Sequence, residues 1–194
     1  MTYLVVKGEV FQRNDVQKSF MSGMTCNIGV DKMVKIEVVN VEKPEGVECI
    51  IGQGNFSIFT VDDLARALLT AVPGIKFGIA MNEAKPQLTR YTGNDKELEE
   101  LAAKNAVKIG AGHVFVIIMK NAFPINVLNT IKNHPAVVMV YGASENPLQV
   151  IVAETELGRA VLGIVDGKAA NKIENNEQKK ERRELVEKIG YTID

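Results

Sequence analysis

The sequence predicts an α/β (α+β) fold, with a mixed β-sheet and helices packed on it in one compact domain, on three observations. Short β-branched runs alternate with segments of helical period from Val34 onward. Residues 114–119, Val-Phe-Val-Ile-Ile-Met, form an apolar run without polar alternation, the pattern of a central strand covered on both faces. Three strand-like runs then follow closely at 137–141, 148–153 and 160–165. Their connections are too short for crossover helices, which favours antiparallel pairing.

Taken in order, residues 34–41 alternate as a half-buried strand does. After Cys49-Ile-Ile-Gly-Gln53 comes a helix with Thr60 as the expected N-cap. Asp62 and Asp63 sit in its positive first turn, and Leu64, Ala67, Leu68 and Ala71 form its apolar face until Pro73-Gly74 stops it. Residues 75–81 read as a strand. Asn94 with Glu97 predicts a capping box for the next helix, whose stripe is Leu98, Leu101, Ala102, Asn105 and Ile109, with Gly110 as its left-handed cap. Pro124 suits the first position of a third helix, where its missing N–H has no intrahelical partner, and His134-Pro135 ends it. Asn146-Pro147 and Leu157-Gly158 are turn signals. The last helix, 175–189, is highly charged, with only Leu185, Val186 and Ile189 as an apolar stripe before Gly190. Residues 12–32 are polar and show neither period. We read 1–32 as an N-terminal extension from an upstream start and 33–194 as the domain, since Met33 stands directly before the first clear strand.

Composition excludes several function classes. The 194 residues carry 23 Lys plus Arg against 24 Asp plus Glu, a formal net charge of −1, which gives no broad basic field for nucleic acid. Wholly apolar stretches such as 114–119 are far shorter than the ~20 residues a membrane span needs. Charge interrupts the apolar residues of the first ten positions, unlike a secretory signal, so a cytoplasmic protein is expected. Cys26 and Cys49 have neither disulfide-framework nor zinc-ligand spacing and read as two unpaired thiols.

No P-loop, G-x-G-x-x-G after a strand, H-E-x-x-H or G-x-S-x-G is present, so any phosphate chemistry uses a less common arrangement. The best local candidate is Asn121-Ala-Phe-Pro-Ile-Asn126, which delivers a helix N-terminus straight after a buried strand. Backbone N–H groups and the helix dipole attract anions there, and crevices at strand carboxyl ends are where open α/β sheets bind ligands. Asn121 and Asn126 can add side-chain bonds to phosphate or ribose; alternatively, Asn121 is a cap and Phe123 and Ile125 are core. Gly110-Ala-Gly-His113 is the second unusual feature. A neutral imidazole is a competent nucleophile or proton carrier near pH 7, and a buried structural histidine is the other reading; His134, in a helix-ending turn, reads as structural. Glu83, Glu154 and Asp166 each stand where a strand runs out, which can gather carboxylates on one rim to hold ribose hydroxyls or a metal; Arg90 and Arg159 are charges in apolar context. His113 and Asn121 terminate the same strand. At ~3.3 Å per residue they are on the order of 25 Å apart, so they share a site only if an oligomer brings opposite ends of two subunits together.

The segments Val72-Pro-Gly-Ile-Lys-Phe-Gly78, Glu83-Ala84, Arg90-Tyr-Thr-Gly-Asn-Asp95, Gly110-Ala-Gly-His-Val-Phe115, Asn121-Ala-Phe-Pro-Ile-Asn-Val-Leu-Asn129, Asn146-Pro147, Val152-Ala-Glu-Thr155 and Gly158-Arg-Ala-Val-Leu-Gly-Ile-Val-Asp-Gly167, in order over 33–194, resemble the small prokaryotic family of adenosine-specific kinases. The resemblance implies binding of adenosine and AMP rather than ADP or ATP, a phosphorylated histidine, and a homo-oligomer, with a trimer expected. It leaves room for magnesium as a cofactor. Where the family pattern is Gly-Gln-x-His-Phe, this chain has Gly52-Gln53-Gly54-Asn55-Phe56, so His113 is the phosphoacceptor expected here. Asn121, Phe123, Pro124, Asn126, Glu83, Arg159 and Asp166 are the expected ligand-binding residues. The competing expectations are an AMP or adenosine sensor without turnover and a structural oligomer.

Overall fold

A computed structural model describes residues 3–6, 9–12 and 34–190 of the chain. Strands β1 (Tyr3–Val6) and β2 (Glu9–Gln12) form an antiparallel ladder. The remainder of the proposed 1–32 extension, including Cys26, lies outside the described residues.

The strand β7 (Val114–Lys120) explains the architecture, because its side chains divide between two cores. Val114, Val116 and Ile118 join one apolar cluster; Phe115, Ile117 and Met119 join the other. A strand buried on both faces loses the polar alternation of a half-exposed one. Around it the five-stranded sheet runs β6 (Thr89–Gly93), β5 (Lys76–Asn82), β7, β4 (Glu48–Gly54), β8 (Val137–Ser144). A second sheet has the order β10 (Arg159–Asp166), β9 (Leu148–Glu154), β3 (Lys35–Asn40).

Helices α1 (Ser57–Ala71) and α3 (Pro124–Lys132) cover one face of the larger sheet through Leu64, Leu68, Val127 and Ile131. Helix α2 (Lys96–Ile109) covers the other through Leu98, Ala102, Ala106 and Ile109, together with Leu148, Val150 and Val152 of β9. The residues from 34 to 190 thus form one mixed α and β domain of the predicted class. Every pairing between the named strands is antiparallel; among the described residues the one parallel contact is an isolated bridge between Ala111 and Arg159. The expected mixed sheet is therefore two antiparallel sheets, and β8 and β9, although joined by a short turn at Asn146-Pro147, belong to different ones.

Two helix starts differ from expectation. Helix α1 begins at Ser57 with Phe56 as N-cap; buried Thr60 lies in its first turn and donates its hydroxyl to the Phe56 carbonyl four residues back, the back-bonding alternative to capping. For α2 the cap is Asp95, which accepts from Leu98 N at 3.3 Å. Asn94 instead accepts from Phe77 N at 2.9 Å and donates to the Ile75 carbonyl at 2.8 Å, clamping the start of β5. Gly78 lets α2 approach β5 closely: a Cβ there would stand 2.1 Å from the Leu98 carbonyl carbon. Gly110 ends α2 at φ 69°, as expected of a left-handed cap. Buried Asn105, on the α2 stripe, bonds Glu42 N at 2.8 Å and Glu42 O at 2.7 Å and so fastens the connection leading into β4. Cys49 is buried without a disulfide, and burial pushes its thiol up to about 12. Helix α4 (Asn176–Lys188) has the capping box of Asn175 and Gln178 but buries no residue. No helix among the described residues is long and apolar enough to cross a membrane.

Candidate functional site

Both ends of β7 carry a non-glycine residue in left-handed conformation, His113 at φ 58° and Asn121 at φ 61°. Such residues are uncommon and persist where the surroundings hold them. Each marks one end of the larger sheet, and each end has its own cavity.

At the His113 end, the Asn82 side chain donates to the carbonyls of Ala106 at 2.8 Å and Ala111 at 2.9 Å, while the Asn82 carbonyl accepts from His113 N at 3.0 Å. These bonds fix the Gly110-Ala-Gly-His113 turn against the end of α2. From the other side, Gln53 Nε2 donates to the Gly112 carbonyl at 2.9 Å and Gly54 N to the His113 carbonyl at 2.8 Å. Asn55 follows directly and donates to the Pro135 carbonyl at 3.1 Å. His113 and position 55 therefore belong to one neighbourhood. A cavity of about 800 Å³ here is lined by Glu83, Leu88, Gly112, Leu157 and Arg159. Its charges are already paired: Arg90 bonds buried Glu83 at 2.7 Å, and Arg159 bonds Glu37 at 2.6 Å and Glu154 at 2.9 Å. His134 accepts from Ala136 N at 3.2 Å through Nδ1, the structural role expected of it.

The Asn121 end is built by the start of α3. Pro124 occupies its first turn, and Asn126 Oδ1 accepts from Phe123 N at 2.9 Å. Asn121 is therefore not the cap; it adopts the left-handed bend out of β7, with Nδ2 3.4 Å from the Gly74 carbonyl. Phe123 and Ile125 are not core either, being 48% and 68% exposed. A cavity of about 650 Å³ opens between Asn121, Phe123, Asn126, Lys120, Glu48 and Glu145. With Pro124 lacking an N–H and the Phe123 N–H engaged, Ile125 carries the first helical N–H an incoming anion would meet, within the positive end of the helix dipole.

Glu48 is the residue that sequence reasoning missed. It is only 6% exposed, its Oε2 is buried without a hydrogen-bond partner, and it lines this cavity. Burial, and then the neighbouring Glu145 charge, raise its carboxyl above the usual range, with Lys43 opposing. In sequence it looks like a solvated charge at a strand start. The available signal was register: antiparallel pairing of β4 with β7 sets Glu48 opposite Met119, hence beside Asn121.

The expected ligand-binding residues thus fall at two ends of one subunit. His113, Glu83 and Arg159 are at one end; Asn121, Phe123, Pro124 and Asn126 are at the other. Asp166 pairs in register with Leu148, just after the Glu145 turn, and accepts from Asn146 Nδ2 at 3.0 Å. The single rim of Glu83, Glu154 and Asp166 does not form, because antiparallel β9 and β10 place Glu154 opposite Arg159 and Asp166 at the far end. For the same reason the carboxyl-end rule of parallel sheets does not carry over: the carboxyl end of β7 lies beside the amino ends of β4 and β5.

Comparison with known proteins bears on what these ends do. A search of curated proteins returns no match. The crystal structure of the PH1918 protein from Pyrococcus horikoshii OT3 is 90% identical in sequence and superposes with a TM-score of 0.81, covering 84% of this chain and all of that one. The model of the family described as adenosine specific kinase matches residues 39–192. That match takes in both ends of β7 and both cavities, and on it the chain belongs to the adenosine-specific kinase family.

Proposed function

We propose that this protein binds adenosine or AMP in the cavity at the start of α3 and transfers phosphate through His113. The observation that carries the binding half is the exposure of Phe123 and Ile125 beside that cavity, on a helix whose other side is core. An exposed phenylalanine next to a helix N-terminus and two asparagines offers an aromatic face for the base and polar groups for phosphate and ribose. Lys120 adds positive charge on the same wall. Glu145, on the same cavity wall, is the carboxylate that would hold a magnesium ion together with the phosphate, and that ion would supply charge neutralisation to phosphate when bound.

In the transfer step an imidazole nitrogen of His113 attacks the phosphorus of a phosphate ester or anhydride donor, a P–N bond forms as the donor P–O bond breaks and the dephosphorylated donor leaves; the 5′-hydroxyl oxygen of adenosine then attacks that phosphorus, the P–N bond breaks, and the hydroxyl proton passes to the freed imidazole nitrogen. Within one subunit His113 is on the order of 25 Å from the α3 cavity, so this reading requires a homo-oligomer, and a trimer is the form we propose. The partner's His113 end, with Glu83 and Arg159 of the partner subunit, then meets the Asn121 end of its neighbour. Ile36 and Val38, on the outer face of the smaller sheet, are 63% and 57% exposed and supply an apolar surface for that association. Work inside the cytoplasm is part of the same proposal.

The same separation favours a second reading, an AMP sensor without turnover. Intact-mass and phosphorus NMR analysis of wild type and His113→Ala distinguishes them. Phosphate on the wild type and none on the variant supports transfer through His113; no phosphate on either leaves binding alone, and equal phosphate on both rejects His113 as acceptor.

A further inference from the structure

Glu48 is expensive where it stands. A carboxyl oxygen buried without a partner forfeits its hydration and gains no bond in return. A solvated surface would have avoided it, and so would any nearby donor, yet the donors around it are committed elsewhere. Lys43 Nζ bonds the Val47 carbonyl at 2.8 Å and also the Glu145 carbonyl, and Lys120 is 3.5 Å from Glu97. An acceptor of this kind on a cavity wall fits a ligand that brings its own donors.

The cavity narrows the choice of donor. It opens at the start of α3, where the helix dipole, Asn121 and Asn126 suit a phosphate, and exposed Phe123 suits a base. Between the phosphate and the base of a nucleotide lies the sugar, whose donors are hydroxyls. A carboxylate is the usual acceptor for a ribose 2′-hydroxyl in nucleotide sites, because both cis hydroxyls can point at one acidic group. We propose that Glu48 receives the ribose hydroxyls of the bound nucleotide, so that the site selects ribonucleoside over 2′-deoxyribonucleoside monophosphates. The proposal rests on the reading of this cavity as the AMP site, and adds a selectivity that the reading does not contain.

Calorimetric titration of the full chain with AMP and with 2′-deoxy-AMP, in magnesium and in EDTA, tests it. Wild type is expected to bind AMP about tenfold or more tightly than the deoxy compound, the scale of one hydrogen bond to a charged group. In Glu48→Gln that ratio falls to within about threefold while deoxy-AMP affinity is little changed. The wild-type ratio tests the selectivity whether or not the variant folds, and loss of that ratio in the variant assigns the selectivity to Glu48. Equal binding of both compounds by wild type overturns the role of Glu48 while leaving the AMP site standing. Binding of neither removes the AMP site and this inference with it. A Glu48→Gln variant that loses only the magnesium dependence, keeping the ribose preference, would make Glu48 a metal ligand and overturn the inference.

Discussion

Glu48, His113 and Asn121 each break a local rule, and each break sits beside a cavity or a strand end. For Glu48 the break has a thermodynamic sign. Its folded carboxyl is raised above the ordinary value of about 4.3, chiefly by burial, so the folded protein holds a proton more tightly than the unfolded chain. The cost of ionising it is absent below that ordinary value, grows as pH rises toward the folded value, and is fully present above it. Glu48→Gln is therefore expected to raise the unfolding temperature of the ligand-free protein at pH 7, by about 2–4 °C for a gain near 1 kcal/mol. The gain should shrink as the pH falls toward 4. A variant melting at or below the wild-type temperature at pH 7 would show that the carboxylate is satisfied.

At the scale of elements, the register of β7 against β4 and β5 and the docking of α2 on β5 place everything else. Asn94 shows how much a single side chain carries there. Asn94→Ala removes an acceptor for Phe77 N of β5 and a donor to the Ile75 carbonyl just before it and should cost about 2 kcal/mol, whereas Asp95→Ala loses one cap bond, worth about 1 kcal/mol. Urea unfolding of the two variants orders them; a larger loss for Asp95→Ala would return the helix start to Asn94's neighbour as the main constraint. Most elements were legible because they rest on local chemistry: the two-faced run of β7, Pro124 opening α3, Gly110 closing α2, the charged run of α4 ahead of Gly190. What was not legible depends on partners distant in sequence. Thr60 and Asn94 both look like caps, and only the packing of Phe56 and β5 shows that they serve other carbonyls and amides. Likewise the strand runs were readable but not their division into two antiparallel sheets, and that division decides which carboxylates can meet. The α3 start was readable as an anion site from its own residues, while Glu48, seventy-odd positions away, reaches it only through register.

The whole molecule poses the question of how two ends of one sheet cooperate. On the smaller sheet, Leu148, Val150 and Val152 face the core, while Ile36, Val38 and Val165 share the opposite, outer face through the ladder of β3, β9 and β10. An apolar row on a sheet face that the described residues leave exposed suits a second copy. Ile36→Asp with Val38→Asp is expected to shift the protein from oligomer to monomer in size-exclusion chromatography with light scattering, with the secondary structure unchanged because both residues are exposed. A monomeric wild type, or an oligomer indifferent to the pair, would move the interface off this face and, in the first case, end the proposal that His113 of a partner subunit serves the α3 cavity. The neutral overall charge agrees with a local anion site rather than a broad field. The central claim, that the cavity at the start of α3 binds AMP, is tested most directly by titrating AMP into wild type and Phe123→Ala. Phe123 is half exposed, so its removal should leave the unfolding temperature within a degree or two. Stacking of a base on an aromatic side chain is worth about 1–3 kcal/mol, so AMP affinity should fall about tenfold. Unchanged affinity in the variant, or no AMP binding by wild type, would contradict the account.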